Sequence, residues 1–443
     1  MYKRYLWNGL LAFIVALTLI IGLSAPAAAQ KGADPTPTTV PADDKGGAPP
    51  SPTPESLPGP LASPTPQPTP EGNGGNATWE VIDMGFQSRY PNGFTLTIEA
   101  TSTGGRLAAA AALWRYSPSS RTRRGGEIDE SGTRAVVNWD KTPSDSVPQW
   151  VGVEYWWVLQ DEAGNVYETE RRFAEYEDNT RRWNRAESED IIIFWEEGVP
   201  DEIGPATIEA MRQASELYAR YWPRPLGYRP RAIIFANFST WGEWSPGAGT
   251  TTGGVVVAGT TRDAWGATVQ IYDTRWVDVE ETAYTLVPHE VAHLYQYANS
   301  AAVGDFWFVE GNATFFELID RDRMLNRVRG MATSGTLPSL QGGGPSARGA
   351  FARDAYDIGF AFFVWFDEVY GAEGHQQLMA LIQTGRSWRD ALRDVTGMGF
   401  VEMETIFRTW LGAANPVAPT PIPSPTFFFP PTPTFAPTPT PRS

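Results

Sequence analysis

Two different spacings of apolar residues divide this chain. Between residues 79 and 176 apolar and polar positions alternate. Phe94, Leu96 and Ile98 fall on one face of the stretch 93–100, and Val153, Tyr155, Trp157 and Leu159 on one face of 151–160. Asp161-Glu162-Ala163-Gly164-Asn165 reads as a hairpin turn that returns the chain through 166–172. Residues 107–116 and 134–139 supply further strands. Several short strands over about a hundred residues predict a β-sandwich of immunoglobulin or fibronectin type. It carries no evident chemistry, so it reads as a rigid spacer or as a module that binds a partner or substrate.

From about residue 180 the pattern becomes mixed. The run Asp190-Ile191-Ile192-Ile193-Phe194-Trp195 is continuously apolar, as a strand buried on both faces would be. Ile208, Met211, Ala214 and Leu217 recur at helical spacing in 203–222. Strands are predicted at 231–236, 253–258 and 267–272. A helix follows with Ala283, Val287, Val291 and Leu294 on one side. Pro288 either opens this helix or bends it, because proline has no N–H for the preceding turn. The segment 299–304 breaks the pattern, and a single helix is expected over 309–329. Residues 331–350 read as a Gly/Ser-rich loop able to lie over a cleft. Helices at 352–370, 376–383, 387–396 and 403–411 complete the domain. The expectation for 180–414 is an α+β domain, with a mixed-sheet lobe first and a helical lobe second.

Composition adds the surroundings. Lys3 and Arg4, the apolar run from Leu10 to Leu23 and Ala27-Ala28-Ala29 give residues 1–29 the plan of an export signal. The alternative is an uncleaved anchor, although the apolar run is short for a membrane span. Residues 30–78 and 415–443 are rich in Pro and Thr and cannot bury a core. They read as a spacer and a disordered tail, consistent with an extracellular or cell-surface protein associated with a wall. The net charge of −16 argues against nucleic acid as a partner. With 0 Cys, disulfides, thiol nucleophiles and Cys-ligated zinc are excluded.

The stretch that concentrates chemistry is His289-Glu290-Val291-Ala292-His293. On a helix, residues four apart share a face, so both imidazoles can reach one metal ion. Glu290 lies about 100° further round at 3.6 residues per turn, which suits a general base better than a ligand. The chain holds only 3 His, and two of them form this pair. A third ligand is expected downstream, within Phe306-Trp307-Phe308-Val309-Glu310-Gly311-Asn312-Ala313-Thr314-Phe315-Phe316-Glu317. Glu310 is preferred because Gly311 and Ala313 leave room beside it. Glu317, two turns on if one helix runs through both, is the rival ligand, or else a carboxylate that orients a His N–H.

Together these residues resemble the gluzincin metallopeptidases, in particular the peptidase-MA-like branch, in which HExxH is followed by W-x-x-E-G-x-A-x-[YF]. The likeness spans roughly residues 180–415, and Pro288 departs from the usual signature. The resemblance implies zinc on His289, His293 and Glu310, Glu290 as catalytic base, and Tyr356 as a hydrogen-bond donor to the oxyanion. It also implies an edge strand that binds substrate backbone, with 253–258 and 267–272 as the two candidates. The expected function is therefore hydrolysis of a peptide or protein substrate by an exported zinc metallopeptidase, more an endopeptidase than an exopeptidase. The alternative is a cell-surface binding or adhesion module with a vestigial or structural zinc site. His375 is expected to begin or cap the helix at 376–383.

Overall fold

The computed structural model describes residues 77–418, except 119, 143–144, 245–258, 275–276 and 346–351. The export-type segment at 1–29, nearly all of the spacer at 30–78, the strand expected at 253–258 and most of the tail at 415–443 therefore lie outside the described residues. Among the described residues, no helix is long and apolar enough to cross a membrane.

Alternation dominates the first hundred described residues. The strands are β1 (Trp79–Ser88), β2 (Gly93–Ser102), β3 (Leu107–Arg115), β4 (Thr122–Gly125), β5 (Glu127–Ile128), β6 (Arg134–Asp140), β7 (Gly152–Asp161), β8 (Val166–Glu168) and β9 (Arg172–Glu175). One sheet has the order β1-β2-β6-β5 and the other β4-β3-β7-β8, with β9 also on β7. All pairings within them are antiparallel. Phe94, Leu96 and Ile98 point inward and meet Trp114 and Trp157 of the other sheet in one core. The outer face of β7 is covered as well, because the Arg171 guanidinium lies 4.5 Å from the Trp156 ring.

A second sheet system follows: β10 (Trp183–Glu187), β11 (Ile192–Glu196), β12 (Arg231–Phe235), β13 (Gly259–Arg262) and β14 (Ala267–Ile271), in the order β10-β11-β12-β14-β13. The three central strands are parallel, and the two outer ones run antiparallel to them. Every residue of β11 and β14 is buried, as in strands covered on both faces, the polar Glu196, Thr268 and Gln270 included. One face of this sheet packs on helix α1 (Ile203–Tyr221). The other, with Ile233, Phe235 and Val269, continues the core of the β-sandwich. Trp150 stacks on Phe194 at 4.8 Å, and Arg231 donates to the Trp150 carbonyl at 2.9 Å. The short α2 (Phe238–Trp244) closes this side with Trp241 and Trp244.

The remaining helices are α3 (Val279–Glu281), α4 (Val287–Ala298), α5 (Phe306–Thr314), α6 (Arg321–Ser334), α7 (Ala352–Gln383), α8 (Trp388–Thr396) and α9 (Phe400–Trp410). Asp278 caps α3 by accepting the Glu281 N–H at 2.8 Å. One turn of π-helix, Thr282–Leu286, joins α3 to α4. Proline 288 therefore sits in the first turn of α4, where a missing N–H is tolerated, and the helical path before it is widened rather than broken.

Three expectations are corrected. The helix expected over 309–329 is two helices. It stops after Thr314, and Asp320 adopts a left-handed conformation (φ 60°) before α6 begins. The loop expected to begin at residue 331 begins only after Ser334, because α6 runs that far. His375 is no cap. It lies inside the second half of α7, which resumes beyond a kink at Gly371, and it is fully buried.

Candidate metal centre

Helix α4 lies between the sheet and the helical lobe and is buried on nearly every side. His289 and His293 project from it toward α5. Helix α5 can come this close to its neighbours because two glycines meet where it crosses α7. A Cβ on Gly311 would stand 2.2 Å from Gly359 Cα, and one on Gly359 only 2.0 Å from the Trp307 carbonyl oxygen. Neither position admits a side chain. The crossing carries Glu310 to the two imidazoles.

His289 Nε2 is 3.3 Å and His293 Nε2 is 3.4 Å from Glu310 Oε2. One donor atom from each of the three residues lies within 4.8 Å of the others, and all three residues are buried. Among the described residues this is the group of His, Asp and Glu side chains able to hold a metal ion. His293 Nε2, Glu310 Oε1 and Glu290 Oε1 are buried without a hydrogen-bond partner. Buried polar atoms are normally satisfied, so the two orphans within the cluster, His293 Nε2 and Glu310 Oε1, mark a place for a ligand. Two imidazole nitrogens and a carboxylate form a donor set that suits zinc.

Electrostatics agree. Burial by itself would lower the His289 pKa, but the Glu310 and Glu317 carboxylates beside it raise it to about 10. Burial would raise that of Glu310, but the charge and hydrogen bonds of His293 and His289 bring it to about 2. The cluster thus holds carboxylate charge that needs a cation, a proton on imidazole or a metal ion in its place.

Glu290 points elsewhere, toward β13. The Thr261 hydroxyl lies at hydrogen-bond distance from both the Glu290 backbone carbonyl, at 2.7 Å, and its Oε2. A hydroxyl has one proton to give. Both contacts are satisfied together when Glu290 is protonated and donates to Thr261. Burial pushes the Glu290 pKa up, against the opposing pull of His293, His289 and Thr261. Gly259 leaves the room this carboxylate occupies, since a Cβ there would lie 2.8 Å from Glu290 Oε1.

Each imidazole is held from behind. His289 Nδ1 is 2.8 Å from Glu317 Oε1, and His293 Nδ1 is 2.8 Å from Gln296 Oε1. Glu317 reaches His289 from the turn that follows α5, not from the face that carries Glu310. On one continuous helix it would lie two turns beyond Glu310; the early stop of α5 swings it to the far side of the ring. Tyr356, near the start of α7, is buried with its ring centroid 5.8 Å from that of His289.

Thr261, Gln296 and Asn312 were missed in the sequence. Gln296 was legible, being three residues after His293 and one turn along the same face. Asn312 was legible too, as a lone amide within a run of apolar and small residues. Thr261 gave no local signal. Of the two strands proposed to receive substrate, the one at 267–272 is corrected: β14 is paired on both sides and offers no free edge. Among the described strands β13 is the edge on this side of the sheet, and it runs beside Glu290.

No protein-family model matches the chain, and no curated protein matches it. Among solved structures, native leukotriene A4 hydrolase from Saccharomyces cerevisiae is similar with 10% identity and a TM-score of 0.29, over 78% of this chain and 69% of that one. The yeast enzyme in complex with bestatin gives 11% identity and a TM-score of 0.30. A polysaccharide deacetylase from Bacillus cereus has 8% identity and a TM-score of 0.18, over 36% of this chain and 51% of that one. These distant likenesses accompany a chain with several β-sheets, a C-terminal helical region and a His-His-Glu cluster.

Proposed function

We propose that this chain is an exported zinc-dependent peptidase, with zinc on His289, His293 and Glu310 and with Glu290 as its general base. The observation that carries the reading is the division of labour between two buried glutamates. Glu310 stands among the histidine Nε2 atoms, whereas Glu290 is adjacent to them but anchored to β13 through Thr261. Three donors plus one separate carboxylate is what hydrolysis needs and what a purely structural metal site does not.

Zinc bound there would act as a Lewis acid toward a carbonyl oxygen and would acidify a water. The work of the protein is to place groups around that chemistry. Glu290 Oε1, buried and without a partner, accepts a proton from water and later delivers it to the leaving amine. Thr261 holds the other carboxyl oxygen and can accept its hydrogen bond while the proton resides on Glu290. Tyr356, beside His289, is assigned to donate to the developing oxyanion. The outer edge of β13 is assigned to bind an extended peptide by strand addition. Endopeptidase action, export through residues 1–29, a cell-surface setting and an immunoglobulin- or fibronectin-type architecture for the sandwich belong to the same proposal and rest on sequence. A relic site in a binding module would have lost a donor or the base, and here every member is present and buried.

The test is metal per chain by elemental analysis of the full-length protein, with a peptide-library screen alongside. About one zinc per chain is expected in wild type and none in His293→Ala. Glu290→Gln should keep its zinc and lose roughly 10²–10⁴-fold in cleavage rate. A Glu290→Gln protein that cleaves as fast as wild type would remove Glu290 from the mechanism, and a folded wild type without zinc would remove the metal.

A further inference from the structure

The chain has 3 His, and all of them belong to one buried network. Two are the histidines of the metal cluster. The third, His375 on α7, is joined to His293 by two side-chain amides. His293 Nδ1 is 2.8 Å from Gln296 Oε1. Gln296 Nε2 donates to the Val309 carbonyl at 2.8 Å and to Asn312 Oδ1 at 3.0 Å. Asn312 Nδ2 is 3.0 Å from His375 Nε2. Gln296 and Asn312 are each 1% exposed and His375 0%, so water does not substitute for any link.

The direction of every bond in this chain follows from one group. A backbone carbonyl can only accept, so the amide nitrogen of Gln296 must face Val309. Its oxygen then faces His293, which must donate from Nδ1. That leaves the His293 Nε2 lone pair for the metal cluster. The Gln296 nitrogen also requires the oxygen of Asn312, which turns the Asn312 nitrogen toward His375. His375 must therefore accept at Nε2 and carry its proton on Nδ1. Reversing any member would set two donors or two acceptors against each other at another point. The surroundings of His375 keep it an acceptor. Its ring is packed by Tyr221, Trp222, Phe315, Phe316 and Phe363, and burial there holds its pKa down to about 3.

We propose that His375 and Asn312 are positioning residues of the metal centre, which act through Gln296 to fix His293 as the Nδ1–H form and so present Nε2 to the metal. The two metal histidines are then backed in different ways, His289 by the Glu317 carboxylate and His293 by a neutral relay that links α4, α5 and α7. The relay rests on the metal-site reading for its purpose but not for its geometry.

The test uses the full-length protein labelled with ¹⁵N histidine. With three imidazoles in the chain, a long-range ¹H–¹⁵N spectrum resolves each tautomer. In wild type at neutral pH, with or without zinc, His375 should show a protonated Nδ1 and a bare Nε2. Asn312→Asp keeps an acceptor for Gln296 but offers His375 only an acceptor, so it should move the His375 proton to Nε2. Asn312→Leu and His375→Leu should weaken zinc binding, measured by chelator competition, about ten- to a hundred-fold, the effect expected for groups that orient a ligand. His375→Gln, which keeps an acceptor, should retain most of the affinity. A protonated Nε2 on His375 in the wild type overturns the proposal, as does a wild-type zinc affinity in folded Asn312→Leu and His375→Leu proteins. If the wild type binds no zinc, the peptidase reading fails, and the His375 tautomer in the metal-free chain still decides the relay.

Discussion

Leu318 donates its backbone N–H to the carbonyl of Tyr284 at 2.9 Å. Tyr284 is four residues before Pro288, so this is the carbonyl that an ordinary residue at 288 would engage within an α-helix. Proline makes no such bond, and the turn after α5 makes one instead. That turn carries Glu317, whose Oε1 sits 2.8 Å from His289 Nδ1. The residue that departs from the usual zinc-protease signature thus stands beside the bond that docks the carboxylate behind a metal-cluster histidine.

Removing that carboxylate should act on the metal before it acts on the fold. Glu317→Ala leaves His289 free to rotate and to change tautomer, and zinc affinity should fall roughly ten- to a hundred-fold. Glu317→Gln keeps an acceptor oxygen and should lose less. Chelator competition on both variants measures the difference. Equal and wild-type affinities in the two would mean that His289 is held by packing alone.

Gly259 offers a probe of Glu290 that leaves the metal donors untouched. A methyl group there would lie 2.8 Å from Glu290 Oε1, 3.2 Å from its Cγ and 3.3 Å from its Cδ. Gly259→Ala must displace the carboxylate while the Glu310 cluster stays in place. Zinc content should be unchanged and peptide cleavage reduced by about a hundred-fold, since a base moved by an ångström loses most of its value. Loss of zinc together with activity would show that β13 supports the whole centre rather than the base.

The glycine pair beneath the centre predicts stability instead. Gly359→Ala would drive a Cβ to 2.0 Å from the Trp307 carbonyl and 2.6 Å from Gly311 Cα, both backbone atoms that cannot step aside. The cost should be about 3 kcal/mol or more, at the upper end for overpacking. Gly330, in the middle of α6 and exposed, meets nothing within 4 Å. Gly330→Ala should stabilise by about 0.5–1 kcal/mol through helix propensity. Denaturant midpoints of the two variants should therefore move in opposite directions.

Much of this architecture was legible because local rules decided it. The alternation of Phe94, Leu96 and Ile98 and the unbroken apolar run at 191–195 reflect burial on one face or on both, and periodicity reports that directly. His289, Glu290 and His293 needed only helical spacing to be brought together. What escaped depended on contacts distant in sequence. The strand β10 (sequence WNRAE) carries little apolar signal and exists because β11 offers it an edge. The break between α5 and α6 is set by a left-handed Asp320, which no apolar pattern announces. Thr261 meets Glu290 only because β13 folds back along β14 and beneath α4. The His375 link, 63 residues from Asn312, depends on where α7 crosses α5.

His375 also gives the fold a pH signature. Its pKa is held down to about 3 by burial, against an ordinary value of 6.5. A histidine whose pKa is depressed in the folded state is neutral in both states above pH 6.5 and takes nothing from stability there. As pH falls below 6.5 the unfolded chain takes up a proton that the folded chain refuses, and stability declines until about pH 3. The contribution is on the order of a few kcal/mol across that window. The paired carboxylates lose their contributions at lower pH, Glu209 with a pKa of about 2 among them. His289, with its pKa raised to about 10, and Glu290, raised by burial, also shape the pH dependence between 6.5 and 4.5, but wild type and a His375 variant share them, so the difference between the two isolates this histidine. Around its ring the other titratable side chain is Tyr221, neutral throughout this range because burial raises it to about 12. In metal-free protein, the unfolding free energy of the wild type should fall relative to that of His375→Gln as the pH goes from 6.5 to 4.5. The variant cannot take up a proton there, so the difference should appear even if its stability at pH 7 is lower. Parallel pH dependences in the two proteins would mean that His375 is protonated in the folded state, and that its surroundings are wetter than the aromatic cage around it implies.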